Sequence, residues 1–301
     1  MRVFLTGATG FIGSRIIPEL RAAGHEVLGL TRSDAGARAL EAVGAQVHRG
    51  DLEEPDTLRA GADQADAVIH TAFDHDFSNF LANCDKDRRA IEAMGAALKG
   101  SNRPLLITSG TGIGNPDSGG PATEDVLNRN HPNPRAASEL AGAALLDAGV
   151  NIVSMRLPQV HDTAKQGLVS PFIDLSKAKG VVAYIGEGTN RWPAAHVLDV
   201  ARLYVLAVER SAPGARYHAV AEEGIPVRDI AETVGAGLNL PVISLTPEEA
   251  PAHFGWLAMF AGLDLPASSA KTRELLGWTP TGPGLLDDLR RMDYSTVGAG
   301  S

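Results

Sequence analysis

Runs of apolar and β-branched residues alternate along the first half of the chain with segments whose apolar positions recur every third or fourth residue. These are the signatures of buried strands and amphipathic helices. Strands are predicted from Val3 to Thr6, Glu26 to Thr31, Gln46 to Arg49, Ala67 to Ala72, Leu105 to Thr108 and Asn151 to Arg156. A helix is predicted from Phe11 to Ala23, with Ile12, Ile16 and Leu20 on one face and Gly24 at its exit; Pro18 removes a hydrogen bond and predicts a bend. Further helices are expected from Asn79 to Lys99 and from Pro134 to Ala148, the latter with Asn133 as N-cap. Strands alternating with helices imply an α/β fold, a doubly wound parallel sheet of Rossmann type. Its ligand belongs at the carboxyl ends of the strands. After Asp162 the elements shorten between Pro, Gly and Lys. Residues 1–160 are therefore expected to form a nucleotide-binding domain, with additions from about 195–220, and residues 161–301 mostly a smaller substrate-binding region.

The first strand runs into Thr6-Gly7-Ala8-Thr9-Gly10-Phe11-Ile12-Gly13. Gly7 lets the chain reverse out of the strand, Gly10 admits a pyrophosphate close to the backbone, and Gly13 lets the helix pack on the strand. Phosphates would then rest on the N–H groups of the helix start. Thr6, Gly7, Thr9, Gly10, Phe11, Ile12 and Gly13 are accordingly candidate cofactor contacts. The second strand ends on Arg32-Ser33, where NAD-preferring proteins place an acid; a guanidinium suits a 2′-phosphate, so NADP is expected. Asp34 close by leaves NAD open.

Composition narrows the class of partner. A chain of 301 residues with 44% hydrophobic and 21% charged positions is ordinary for a globular enzyme, and a net charge of −9 argues against nucleic acid. No apolar run is long enough to span a membrane, and the chain enters the fold with no signal-peptide pattern, so a cytoplasmic protein is expected. Cys84 is the only cysteine, read as a small apolar filler. No metal-ligand cluster is evident.

The N-terminal fingerprint resembles that of the extended short-chain dehydrogenases/reductases, the superfamily that includes nucleotide-sugar epimerases and dehydratases. The resemblance implies adenine contacts from Asp51 and Leu52, a small-residue edge under the cofactor at Thr71 and Ala72, and a matching asparagine at Asn83. It places a catalytic hydroxyl at Ser109, with Thr111 as second candidate. Leu157-Pro158-Gln159-Val160-His161 resembles the loop at the nicotinamide carboxamide, giving Pro158 and Val160 as contacts and His161 where many members carry a Tyr. The segment from His196 to Ala201 and the turn at Leu275-Leu276-Gly277-Trp278 also match the family. Relatives often form homodimers through the two long helices, although no exposed apolar stripe is legible there. On their own, Asp51 reads equally as a helix cap, Ser109 and Thr111 as turn hydroxyls, and His161 as a hydrogen-bonding wall.

One departure is plain. The family carries a Tyr and a Lys one helical turn apart ahead of an Arg-x-Pro segment; matching Arg156-Leu157-Pro158 to that segment puts Pro134 and Ser138 in their places. No tyrosine precedes Tyr184. The expected function is NADP-dependent hydride transfer to or from a small organic substrate, with Ser109 or Thr111 orienting its oxygen and His161 or water supplying the proton. Loss of the Tyr favours activated C=C or C=N substrates. Two other functions fit the same pattern: a nucleotide-sugar epimerase or dehydratase, and a non-catalytic NADP(H) sensor. Arg191 is read either as an anchor for an anionic substrate or as a surface ion pair, and the apolar segment from Phe254 to Leu263 as core or as a lid.

Overall fold

The computed structural model describes residues 1–116 and 119–295; the small-residue tail expected from Val297 lies outside the described residues. Strands β1 (Arg2–Thr6), β2 (Glu26–Thr31), β3 (Gln46–Arg49), β4 (Ala67–His70), β5 (Leu105–Gly110) and β6 (Ile152–Leu157) are followed by β7 (Gln159–His161), β8 (Val182–Ile185), β9 (Arg191–His196), β10 (Arg216–His218), β11 (Glu222–Pro226) and β12 (Val242–Leu245). Between them run α1 (Gly13–Ala22), α2 (Asp34–Ala42), α3 (Pro55–Asp63), α4 (Phe80–Leu98), α5 (Ala136–Asp147), α6 (Val169–Lys179), α7 (Val197–Glu209) and α8 (Val227–Leu238).

Seven strands form one parallel sheet in the order β10-β6-β5-β4-β1-β2-β3. Its central strands are buried on both faces, which is why they read as unbroken apolar runs. Helices α1 and α7 cover one face with Ile16, Ile17, Leu20, Leu203 and Tyr204. Helices α3, α4 and α5 cover the other with Leu58, Ile91, Met94 and Ala141. The chain winds outward in one direction from β1 and in the other from β4, so the crevice opens between the carboxyl ends of those two neighbours. Strand β10 and helix α7 return from beyond residue 161 to complete the sheet.

The remaining residues build a smaller body. Strands β11, β9 and β7 form a three-stranded sheet, β12 and β8 a parallel pair, and a separate core gathers Phe172, Ile173, Trp192, Val234, Phe254 and Leu289.

Element ends differ from expectation in ways that matter for the site. Helix α1 begins at Gly13 rather than Phe11, leaving Thr9 to Ile12 in the turn. Strand β4 stops at His70, so Thr71 and Ala72 lie just past its end, while β5 runs on to Gly110 and carries Ser109 inside it. Helix α5 begins at Ala136, and Asn133 does not cap it. Its side-chain oxygen accepts from the Arg135 N–H at 2.9 Å in the turn ahead of the helix.

Arg156, wholly buried on β6, fastens the smaller body's return strand to the sheet. It forms a two-pronged pair with Glu139 of α5 at 2.7 and 2.6 Å, and donates to the carbonyls of Thr123 and Val126 and to His218 Nε2. His218 Nδ1 donates to the Ser268 carbonyl at 2.8 Å, so the ring is held neutral. Burial, reinforced by the Arg156 charge, pushes its pKa down to about 4 from 6.5. An unfolded imidazole takes its proton near 6.5 and the folded one resists to about 4, so this contribution is intact above 6.5 and lost as pH falls toward 4. Urea-unfolding free energies measured across that window are expected to fall by up to about 3 kcal/mol on this group's account, a slope that His218→Asn removes. Glu139→Ala, which strands a buried guanidinium, is expected to cost about 3–5 kcal/mol in the same assay.

Candidate active site

The turn after β1 is packed so closely that hydrogens alone fit at Gly7 and Gly13. Gly7 has φ +66°, and a Cβ there would lie 2.7 Å from Thr71 Oγ1 and 2.8 Å from the Ala72 nitrogen. A Cβ on Gly13 would lie 2.1 Å from the Gly7 carbonyl oxygen. Gly10 N–H donates to that same oxygen at 2.9 Å. The Thr71 hydroxyl donates to the Thr6 carbonyl at 2.8 Å, so the end of β4 is stitched to the end of β1. Thr6, Gly7, Gly10, Gly13, Thr71 and Ala72 thus come together as expected. Thr9 is exposed at the rim, while Phe11 and Ile12 are half-buried against the core. The N–H groups of Ser14, Arg15 and Ile16 are spent on the carbonyls of Gly10 and Ile12, whereas those of Phe11, Ile12 and Gly13 have no backbone acceptor among the described residues, and such helix-start donors are the chemistry a pyrophosphate needs. The residues present fit a dinucleotide.

At the far end of β2, Arg32 is 81% exposed and lies 3.5 Å from Asp51 Oδ2. An exposed pair of this kind is weak, and its guanidinium turns to a phosphate at small cost. Ser33 is the N-cap of α2, its hydroxyl accepting from the Gly36 N–H at 3.0 Å. Asp51 also accepts from the Glu53 N–H, and Leu52 packs on the core beneath. Asp34 pairs with Arg49 and not with Arg32.

At the other end, Ser109 sits near the end of β5, 4% exposed, and its hydroxyl has no hydrogen-bond partner among the described residues. Thr111 begins a tight turn, Thr111–Gly114, and is 5% exposed. Behind Ser109 lies a charged network that sequence reasoning missed. Arg135 donates to the carbonyl of Thr108 at 2.9 Å and to Asp87 Oδ2 at 2.5 Å, contacts the Ser138 hydroxyl, and lies with its guanidinium carbon 4.0 Å from the centre of the Phe73 ring. Asp87 also accepts from Ser138 at 2.6 Å and from His70 Nε2 at 3.0 Å. His70 Nδ1 accepts from the Thr6 hydroxyl at 2.6 Å, and Thr6 Oγ1 accepts from the Ala72 N–H. Burial alone would raise Asp87, but Arg135 and the His70 and Ser138 donors hold it well below the usual carboxylate range. The only sequence signal for this network is the type of residue: a charge on an otherwise apolar helix face.

Three further expected residues lie just after β6. His161 is fully buried, its Nδ1 donating to Asp288 of the C-terminal helix Leu285–Arg291 at 2.8 Å, while its Nε2 has no hydrogen-bond partner among the described residues. Burial lowers its pKa despite that carboxylate. Val160, 4% exposed, belongs to the core, and Pro158 is the half-buried link from β6 to β7. Arg191 is committed to Asp264 through two side-chain bonds, the surface-pair reading. Cys84 is buried and its thiol is pushed up to about 11, which makes it inert.

A model of the NAD dependent epimerase/dehydratase family matches residues 3–220. The chain belongs to that family. An uncharacterized protein of Schizosaccharomyces pombe is 47% identical over 98% of this chain and all of its own length. Vestitone reductase of Medicago sativa is 26% identical, covering 78% of this chain and 81% of its own. Among solved structures, the dTDP-glucose 4,6-dehydratase DesIV of Streptomyces venezuelae, with NAD and TYD bound, superposes with a TM-score of 0.76 at 20% identity, covering 97% of this chain and 95% of its own; it bears out the Rossmann fold. No helix among the described residues is long and apolar enough to cross a membrane, and no group of metal-binding side chains occurs among them.

In this member of the family the closeness of Gly13 to Gly7 is the test of the phosphate cradle. Gly13→Ala is expected to abolish NAD(P)H binding in a nicotinamide-fluorescence titration while far-ultraviolet circular dichroism stays unchanged.

Proposed function

We propose that the protein is an NADP-dependent oxidoreductase that transfers hydride to a small organic substrate, one with an activated double bond, without a Tyr/Lys proton relay. Ser109 carries the reading: it is a buried hydroxyl with no partner among the described residues, at the carboxyl edge of the sheet beside the crevice. The nicotinamide, when bound, supplies the hydride. Ser109 donates a hydrogen bond to the substrate oxygen. Arg135, its charge balanced by Asp87, is bonded to the carbonyl of the preceding residue and so fixes the strand end that carries Ser109. Tyr204 does not replace the absent acid. Its hydroxyl is wholly buried on Thr108 at 2.6 Å, and burial raises it far above the ordinary phenol range. Water is left as the proton source, sufficient for a substrate already activated toward hydride. Arg32 supports NADP over NAD. The likeness to vestitone reductase supports reduction as the direction.

Nicotinamide fluorescence tests these roles separately. Arg32→Ala is expected to weaken NADPH binding by about tenfold or more and leave NADH unchanged. Ser109→Ala is expected to lower kcat/KM about 100-fold, with NADPH affinity intact. Nucleotide that copurifies and exchanges slowly, together with turnover of a nucleotide sugar, would identify an epimerase instead. Tight NADPH binding without turnover across ketones, enones and imines would favour a sensor.

A further inference from the structure

The crevice between the ends of β1 and β4 has two banks, and one turn from the smaller body approaches both. The first bank is the glycine turn with the opening of α1. Residues 6–14 contain no lysine or arginine, and the first cation after them is Arg15. The second bank is a strap, residues 73–79, which leaves β4 through Ala72, itself packed on Gly7. Two phosphate charges entering between the banks meet N–H groups at the glycine turn but no cation within it.

Residues 162–166 form a tight turn directly after β7. The Asp162 N–H donates to the Lys165 carbonyl at 2.9 Å, and the Asp162 carboxylate accepts from the N–H groups of Ala164 and Lys165 at 2.8 and 2.9 Å. Gln166 is wholly buried and donates from its side-chain amide to the Asp162 carbonyl at 2.9 Å, and a bridge between His161 and Gln166 closes the base. The turn is therefore fixed in shape. It lies against the first bank, with Asp162 Oδ2 3.6 Å from Arg15 Nη2 in the first turn of α1. The second bank is also near. Burial, then the charges of Arg135 and Lys165, lower the pKa of His75 on the strap, so the Lys165 ammonium stands within electrostatic reach of that ring. His75 in turn touches Phe73 at 5.2 Å between ring centres, and Phe73 lies on Arg135.

The three cations around this mouth differ in what is left to them. Arg135 is bound to Asp87 and Arg15 faces Asp162, whereas Lys165 is exposed and forms no ion pair among the described residues. The strap's acids do not compensate it: Asp74 is paired with Lys86, and Asp76 accepts from Ser78 and Asn79. A free ammonium held beside a phosphate cradle supplies the charge that the glycine turn lacks.

We infer that Lys165 is a further phosphate ligand: the turn 162–166 approaches the crevice from the smaller body, and its ammonium binds the cofactor pyrophosphate alongside the helix-start N–H groups of α1. This needs a bound dinucleotide and not the reaction proposed above. It also gives β7 a second task, because the smaller sheet then helps to hold the cofactor that the larger sheet cradles.

Binding is read by nicotinamide fluorescence with NADPH and, separately, with NADH. Lys165→Met is expected to weaken both by the same factor, about tenfold, because the pyrophosphate is common to them, and Lys165→Arg to restore most of the loss. A second measurement needs no variant. The protein is acetylated briefly with and without NADPH, and the modified lysines are located by peptide mass spectrometry. NADPH is expected to slow acetylation of Lys165 by about tenfold and to leave Lys99, at the opposite end of α4 from the strap, unchanged. Unaltered affinity for both cofactors in Lys165→Met overturns the inference. So does a loss confined to NADPH, which assigns the ammonium to the 2′-phosphate instead, and so does equal acetylation of Lys165 with and without NADPH.

Discussion

Asp87 is a carboxylate almost wholly removed from water, and a lone charge in that position would not survive folding. It persists because three donors converge on it: the His70 ring from the end of β4, the Ser138 hydroxyl from α5, and the Arg135 guanidinium from the turn before α5. His70 in turn fixes the Thr6 hydroxyl at the end of β1, and Arg135 fixes the Thr108 carbonyl on β5. The carboxyl ends of the three strands that border the crevice are therefore held in relation to one another by a single ion. Removing water from that ion strengthens each of these bonds, which gives the strand ends a rigidity that loop residues alone would not have.

Much of the architecture was legible because its physical demands are local. Strands buried on both faces must be apolar throughout, so they stand out from their helices, and the phosphate turn must have glycine where Gly7 and Gly13 approach other backbone atoms. Arg32 and Ser33 follow β2 directly, as its apolar run implies. The network around Asp87 was not legible. Asp87 and Arg135 are 48 positions apart, and each reads alone as a solvated charge on or beside a helix. Arg135, which holds the charge, lies between Pro134 and Ser138, the residues that stand at the family's Tyr and Lys positions. His161 shows the complementary difficulty. An imidazole's chemistry is visible in sequence, but whether it faces a cleft or the Asp288 carboxylate depends on how the C-terminal helix docks.

The two halves of the molecule answer different physical needs. In the larger, close backbone contact and helix-start N–H groups suit a charged, extended cofactor. In the smaller, Phe260 and Leu265 pack against its own core, Trp256 stacks on Phe77 of the segment after β4, and Arg191 is neutralised by Asp264. Arg135 and Phe73 lie stacked at the larger body's crevice end.

The return of β10 to the edge of the main sheet has a consequence for how the chain is made. Its partner β6 ends at Leu157, yet β10 begins at Arg216, and the whole of β7, β8 and β9 lies between. During synthesis the nucleotide-binding sheet waits for its last strand while much of the smaller body has already left the ribosome. The two halves therefore cannot fold one after the other as independent beads. The pairing of β6 with β10 is non-local and closes late, whereas the crevice between β1 and β4 is framed by strands made first.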